Sequence, residues 1–114
     1  MKTLLLQRKS RELLQTLEQL ETMTGETGLS LARMLAYIGT KHPAPVGFEE
    51  MEESLSLTKS QVSRNTRALH KFTAFGDRGL DLVDITFDLH NPRTKLVFLN
   101  DRGLLELASA LTLA

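Results

Sequence analysis

The segment TKSQVSRNTRALHK, residues 58 to 71, carries four positive charges, several hydroxyl and amide side chains, and no negative charge. Arginine can bond bidentately to guanine, glutamine can do the same with adenine, and serine, threonine and lysine suit phosphate oxygens. These residue types therefore suit contact with a nucleic-acid duplex. The 14 basic and 14 acidic residues of the whole chain give a formal charge of zero, so binding of a polyanion must depend on local charge placement.

The basic segment is predicted to form a helix over residues 58–72. Thr58 is a good N-cap residue, and Gln61 three positions later completes a capping box. On a helical wheel of about 100° per residue, the apolar side holds Val62, Leu69 and Phe72, with Thr66 or Asn65 between them. Because Asn65 lies closer to this side, we leave it out of the candidate contacts.

The opposite side of the predicted helix collects its charges in one exposed stripe. The candidate groove-reading residues are Ser60, Gln61, Ser63, Arg64 and Arg67. The candidate phosphate-positioning residues are Lys59 and Lys71. A solvated basic face is the alternative for any surface helix, so the neighbouring elements must decide between the two interpretations.

Three further helices are predicted before the basic segment. A first helix over residues 3–23 places Leu6, Leu13, Leu17 and Leu20 at helical spacing, and a second follows over residues 29–41. Two prolines, at 43 and 45, then stop helix formation. A short third helix over residues 48–54 turns four glutamates outward, where we expect a solvated surface rather than acid-base catalysis.

The hydrophobic period changes after Gly79. The run from Leu80 to Phe87 is strand-like, and KLVFL at residues 95–99 is rich in β-forming residues. The seven residues DLHNPRT between the two runs predict the loop of a β-hairpin. Arg93 and Lys95 make the tip of this hairpin basic. The last segment, DRGLLELASALTLA, is predicted to be helical, with more leucines than one narrow stripe can hold.

A short helix, a tight turn, a capped basic helix and a basic hairpin are together typical of a winged helix-turn-helix. We therefore predict one domain, residues 1–114, mainly α with a small β-hairpin (α+β). The basic helix would enter the major groove of double-stranded DNA. The wing, residues 88–95, would contact the DNA backbone or the minor groove.

Three segments in this order resemble the MarR family of winged-helix transcription regulators. LTKSQVSRNTRAL is similar to the family's recognition-helix segment, GLDLV to the start of its wing, and KLVFLNDRG to the strand that closes the wing. The resemblance, over residues 29–107, implies a dimeric DNA-binding regulator, often a repressor and sometimes released by a small-molecule effector. Arg93 matches the family's wing arginine, whereas Asn91 stands where an aspartate commonly braces the wing.

The terminal segments are rich in leucine, at positions 6, 13, 17 and 20 and again from 104 to 113. Because burying a leucine contributes about 1.5 to 3 kcal/mol, these side chains must be covered, and a homodimer through the terminal helices is favoured. Such a dimer would place two recognition helices about 34 Å apart. The alternative is that the terminal helices pack on each other within one chain.

Other classes of site find little support in the sequence. It has no cysteine, its three histidines at 42, 70 and 90 are scattered and expected to be solvated, and it has no nucleophile elbow, P-loop or dinucleotide motif. We therefore predict no catalytic residue, no metal and no cofactor. The apolar runs are too short for a membrane span, so a cytoplasmic protein is expected.

Two rival functions remain open at this stage. The first is a protein-interaction module that uses the same fold and presents its acidic third helix as the contact face. The second is an architectural or replication-associated DNA-binding protein. The steep salt dependence of phosphate contacts separates the first rival from a DNA-binding regulator.

Overall fold

The computed structural model describes the backbone of residues 3–24, 29–70 and 79–111, and their side chains except those of residues 19–24. Five helices and three strands follow one another along this part of the chain. The order is α1 (Thr3–Thr24), α2 (Ser30–Lys41), β1 (Val46–Gly47), α3 (Phe48–Leu55), α4 (Lys59–Leu69), β2 (Val83–Phe87), β3 (Lys95–Leu99) and α5 (Asp101–Ala110). The predicted helices and both predicted strands are therefore present.

The strands form an antiparallel sheet in the order β1-β3-β2. Val83 pairs with Leu99 and Phe87 with Lys95, which gives the predicted hairpin with its seven-residue loop. β1 was not predicted, and it adds a third strand because Val46 pairs with Val97 on the other edge of β3. A strand of two residues is too short to show the alternation that identifies strands in a sequence.

The core lies where α2, α3 and α4 meet the sheet. Its fully buried side chains come from nearly every element, and include Leu6, Met34, Ile38, Met51, Leu55, Val62, Leu69, Val83 and Val97. Val62 and Leu69 thus anchor α4 as the wheel predicted, whereas Phe72 lies outside the described residues. The buried face of α4 orients its opposite face toward solvent.

The turn between α3 and α4 is held by backbone geometry and by a side chain from α2. Ser56 adopts a left-handed conformation with φ of 53°, and the Leu57 amide donates to the Glu52 carbonyl at 3.0 Å. Arg33 Nη2 donates to the Leu55 carbonyl at 2.7 Å, which satisfies a carbonyl that the end of α3 leaves open. This turn fixes the direction of α4 relative to α3.

α4 begins where the sequence predicts and ends earlier. Thr58 Oγ1 accepts from the Gln61 amide at 3.1 Å and the Thr58 amide donates to Gln61 Oε1 at 2.8 Å, so the capping box is complete. The last helical residue is Leu69, and His70 is already extended. The prediction of a helix to residue 72 was therefore wrong, because the chain after Gly79 returns and occupies the carbonyls of the last turn.

Candidate nucleic-acid interface

The solvent-facing side of α4 carries the predicted basic stripe. Arg64 and Arg67 are exposed, whereas Val62, Thr66 and Leu69 on the other side are buried. Lys59 and Ser60 are exposed, and Gln61 and Ser63 are half-buried. Lys71 lies outside the described residues. The two arginines are therefore accessible to a partner along the length of the helix.

Asn65 is not accessible in the same way. Its side chain is 8% exposed, and Nδ2 donates to Ser30 Oγ at the start of α2 at 3.0 Å. The neighbouring Thr66 hydroxyl donates to the Val62 carbonyl at 2.8 Å. The Asn65 bond joins α4 to α2, whereas the Thr66 hydroxyl is satisfied within α4 itself. The burial of Asn65 agrees with its omission from the candidate contacts.

The amide of Gln61 is already partly engaged. Its Oε1 atom accepts from the Thr58 backbone amide in the capping box. A bidentate contact with adenine needs both the oxygen and the nitrogen of the side-chain amide. In the capping box one lone pair of Oε1 is already occupied, so a bidentate contact would require the same oxygen to accept a second hydrogen bond. The sequence did not reveal this conflict, although the cap itself was predicted.

The wing is the loop of residues 88–94 between β2 and β3. Asp88 Oδ1 accepts from the His90 amide at 2.8 Å, and Asn91 Oδ1 accepts from the Arg93 amide at 3.4 Å. The Thr94 amide donates to the Asn91 carbonyl at 2.9 Å. Short polar side chains therefore shape the turn that presents the exposed Arg93. Asn91 takes part in this turn although it differs from the aspartate expected there.

The base of the wing is attached to the end of α4 by backbone hydrogen bonds. The amides of Leu80 and Leu82 donate to the carbonyls of Ala68 and Leu69 at 2.9 and 2.8 Å. A Cβ atom at Gly79 would collide with the His70 carbonyl oxygen. Because the chain passes so close to α4, the helix and the wing have a fixed relative position.

A second set of contacts closes the base of the wing on α5. Asn100 Oδ1 accepts from the Gly103 amide at 2.7 Å and so caps α5, while Asn100 Nδ2 donates to the Asp81 carbonyl at 3.2 Å. The glycine is required because a Cβ at position 103 would collide with the Leu82 carbonyl oxygen. One asparagine thus ties the end of β3 to the residues that lead into β2.

α4 and the wing border a common groove with a volume of about 600 Å³. Its lining includes Lys59 and Ser63 from α4, and Arg93 and Lys95 from the wing. The structure therefore brings together four of the predicted site residues. Ser60, Gln61, Arg64 and Arg67 do not line this groove.

The other wall of the groove belongs to α3 and is acidic. Glu49, Glu50 and Glu52 line it together with Phe48. The Tyr37 hydroxyl donates to Glu50 Oε2 at 2.6 Å, and the burial of this phenol together with its bond to Glu50 raises the pKa of Tyr37. The sequence indicated that these glutamates are solvated, but their position opposite the basic residues could not be read from their spacing.

His42 differs from the expectation of a solvated side chain. It is half-buried at the end of α2, its Nδ1 atom has no hydrogen-bond partner among the described residues, and burial lowers its pKa. His90 is exposed in the wing, and His70 is half-buried beside α4. Within residues 3–24, 29–70 and 79–111, no group of three histidine or carboxylate side chains could hold a metal ion.

Comparison with known proteins gives matches at the level of structure. No family model matches the sequence, and no curated protein matches it. A mutant of S. aureus MepR bound to an oligodeoxyribonucleotide is similar with a TM-score of 0.59 and 21% identity, over 90% of this chain and 67% of that one. The chain has a winged-helix fold.

Two further MepR structures agree with this result. A MepR mutant from a multidrug-resistant clinical isolate of S. aureus has a TM-score of 0.59 and 21% identity, and covers 98% of this chain and 74% of its own. Another S. aureus MepR mutant has a TM-score of 0.57 and 20% identity, over 98% of this chain and 74% of that one. MepR is a MarR-family winged-helix regulator, so the resemblance predicted from the sequence is confirmed at the level of the fold. None of the described helices is long and apolar enough to cross a membrane.

Proposed function

We propose that this protein is a sequence-specific, double-stranded DNA-binding transcription regulator, and that it acts as a repressor in the cytoplasm. α4 enters the major groove, and the wing, residues 88–95, contacts the backbone or the minor groove. The observation that carries this proposal is the common groove, in which Lys59 and Ser63 of α4 face the same space as Arg93 and Lys95 of the wing. One duplex can therefore touch both elements.

The residue types indicate which side chains contact base edges and which contact phosphates. Arg64 and Arg67 are exposed and contact guanine edges, with Ser60, Ser63 and the NH₂ group of Gln61 beside them. Lys59, Arg93 and Lys95 neutralise phosphates, and Lys71 is assigned the same role from the sequence. The positive end of the α4 dipole lies at Lys59 and adds to the attraction for a phosphate.

The similarity to MepR supports a duplex as the ligand, since one of the MepR structures was solved with an oligodeoxyribonucleotide. The direction of regulation, repression, comes from the MarR resemblance, as does release by a small-molecule effector. No cofactor and no reaction on a substrate enter into this role.

The assembly that we assign to this single domain is a homodimer through its terminal helices. Leu6 and Leu107 are buried within the chain, so part of the leucine-rich surface is already covered by the protomer itself. Leu4 and Leu105, on α1 and α5, are 80% and 67% exposed, and they remain for the partner to cover. A twofold dimer would read a palindromic site with half-sites about one helical turn, or 34 Å, apart.

The proposal is tested by selecting duplexes from a random-sequence pool with the purified protein and measuring affinity for the best duplex by fluorescence anisotropy. We expect a palindrome, a steep loss of affinity with salt, and a loss of about 1 to 3 kcal/mol for either Arg64→Ala or Arg67→Ala. Lys41→Ala is the control, because Lys41 is exposed at the end of α2, outside the terminal helices, and the substitution removes the same charge.

Two results would contradict the proposal. No binding to any duplex at low salt would favour the protein-interaction module, with the acidic α3 as its contact face. Binding without sequence preference, in which Arg64→Ala and Lys41→Ala behave alike, would favour an architectural protein. A selected palindrome whose affinity depends on Arg64 would reject both rivals.

A further inference from the structure

The groove between α3 and the wing has walls of opposite charge. Lys59 from α4 and Arg93 and Lys95 from the wing line it together with Glu49, Glu50 and Glu52 from α3, in a space of about 600 Å³. The acidic wall is continuous with the surface that would receive DNA, because Gly47 and Phe48 at the start of α3 line the same groove as the tip of the wing. DNA that approaches the basic wall therefore also approaches these carboxylates.

The two walls do not neutralise each other. No ion pair joins the two walls among the described residues, and the Lys9–Glu12 pair lies on α1, outside the groove. Glu50 instead accepts a hydrogen bond from Tyr37, which holds its carboxylate on the α3 side. The cations of the wing remain available for phosphates, and no ion pair covers the carboxylates of α3 at the edge of the groove.

A carboxylate opposes a phosphate that enters this groove. Charges separated by less than the Debye length, about 8 Å at physiological salt, still interact appreciably. Binding to a random duplex depends almost entirely on phosphate contacts, so any position of the backbone close to α3 is penalised. In a specific complex, base contacts from Arg64 and Arg67 outside the groove fix one path for the backbone.

We propose that Glu49 and Glu52 are specificity-determining residues, which weaken binding to duplexes that lack the correct bases more than binding to the selected site. This inference rests on the proposed DNA-binding function. Glu50 belongs to the same wall, but its bond to Tyr37 gives it a structural role as well. Glu53 lies on the same helix and is exposed without lining the groove.

The test compares Glu49→Gln/Glu52→Gln with the matched control Glu53→Gln/Glu106→Gln, since both double variants change the net charge by the same amount. Glu106 is exposed on α5, a helix of the proposed dimer interface, so size-exclusion chromatography establishes that both double variants keep the wild-type assembly. Anisotropy is measured with the selected duplex and with a duplex of scrambled sequence, over a series of salt concentrations. Circular dichroism melts establish that both variants fold.

For Glu49→Gln/Glu52→Gln we expect affinity for the scrambled duplex to rise about 3- to 10-fold at about 50 mM salt. Affinity for the selected duplex should rise less than about 2-fold, so the specificity ratio falls. The effect should fade as salt approaches about 300 mM, where the Debye length shortens. The Glu53→Gln/Glu106→Gln variant should keep the wild-type ratio.

Several outcomes would overturn the inference. Equal gains for both double variants would assign the effect to net charge, and an unchanged ratio would show that the acidic wall does not act on DNA. In both cases the wild-type protein still prefers the selected duplex, so the proposed function stands. If the wild-type protein binds neither duplex at low salt, the proposed function fails and the inference fails with it.

Discussion

α4 and the wing are both basic, but the structure holds them in different ways. α4 is begun by a capping box within four residues of sequence and is oriented by its own buried side, with Val62 and Leu69 in the core. The wing is a β-hairpin whose base is attached to α4 by backbone hydrogen bonds and to the start of α5 by the side chain of Asn100. The comparison shows that residues close in sequence suffice to form α4, whereas contacts between residues distant in sequence orient the wing.

The largest effect is expected from removing the anchor of α4. Leu69 is 1% exposed and is the last residue of the helix, and its carbonyl also receives the Leu82 amide. Leu69→Ala should lower the free energy of unfolding by about 2 to 5 kcal/mol, because it removes buried methyl groups and leaves a cavity. Urea denaturation followed by circular dichroism measures this change.

The control for Leu69→Ala lies in the wing. Leu89 is 95% exposed, so Leu89→Ala should change the free energy of unfolding by less than about 0.5 kcal/mol. If both substitutions cost the same, the wing would contribute to the core as α4 does, and the contrast between the two regions would be lost.

A smaller effect is expected at the base of the wing. Gly103→Ala would place a Cβ about 2.8 Å from the Leu82 carbonyl carbon, so the backbone leading into β2 must shift. We expect a loss of about 1 to 3 kcal/mol in the free energy of unfolding. In an open helix the same substitution would stabilise the protein by about 1 kcal/mol. Thermal or urea denaturation therefore separates the two cases: a loss of stability indicates the collision with Leu82, and a gain indicates an open helix.

Gly47→Ala provides the matched substitution in a strand that has room. The nearest atom to a Cβ at that position is Leu96 Cδ2 at 3.7 Å, an ordinary van der Waals contact. A stabilising Gly103→Ala, or a loss at Gly47 equal to that at Gly103, would contradict the close passage of the chain at the base of the wing.

The same contrast explains what could be predicted from the sequence. The capping box, the buried side of α4 and most helix boundaries follow from spacing and residue type, because each depends on neighbours within one or two turns. The C-terminal end of α4 was placed three residues too late, since the carbonyls of that turn are taken by residues beyond Gly79. No local sequence pattern predicts such a contact.

The candidate site could likewise be predicted only in part. Arg64, Arg67 and Arg93 were identified as exposed cations from the sequence, and they are exposed. The common groove, its acidic wall and the bond between Tyr37 and Glu50 were not predicted, because they join α2, α3 and the wing only after folding. Charge type is thus readable from the sequence, but the distance between opposite charges is a property of the fold.

The smallest effects test the local hydrogen bonds of each region. Thr58 Oγ1 caps α4, and Thr58→Ala should cost about 0.5 to 2 kcal/mol in the free energy of unfolding. Asn91 Oδ1 makes a longer bond of 3.4 Å in the exposed wing turn, so Asn91→Ala should cost less than about 0.5 kcal/mol. Urea denaturation of the two variants, beside Thr58→Ser, measures the difference.

Thr58→Ser keeps the hydroxyl acceptor and should retain most of the stability that Thr58→Ala loses, which assigns the loss to the cap rather than to the methyl group. If Asn91→Ala proved as costly as Thr58→Ala, the wing turn would be coupled to the folding of the whole domain. A negligible cost for Asn91→Ala would instead mean that the tip of the wing can change its sequence with little loss of stability. That tolerance is what a surface needs if its contacts with DNA are to vary while α4 stays in place.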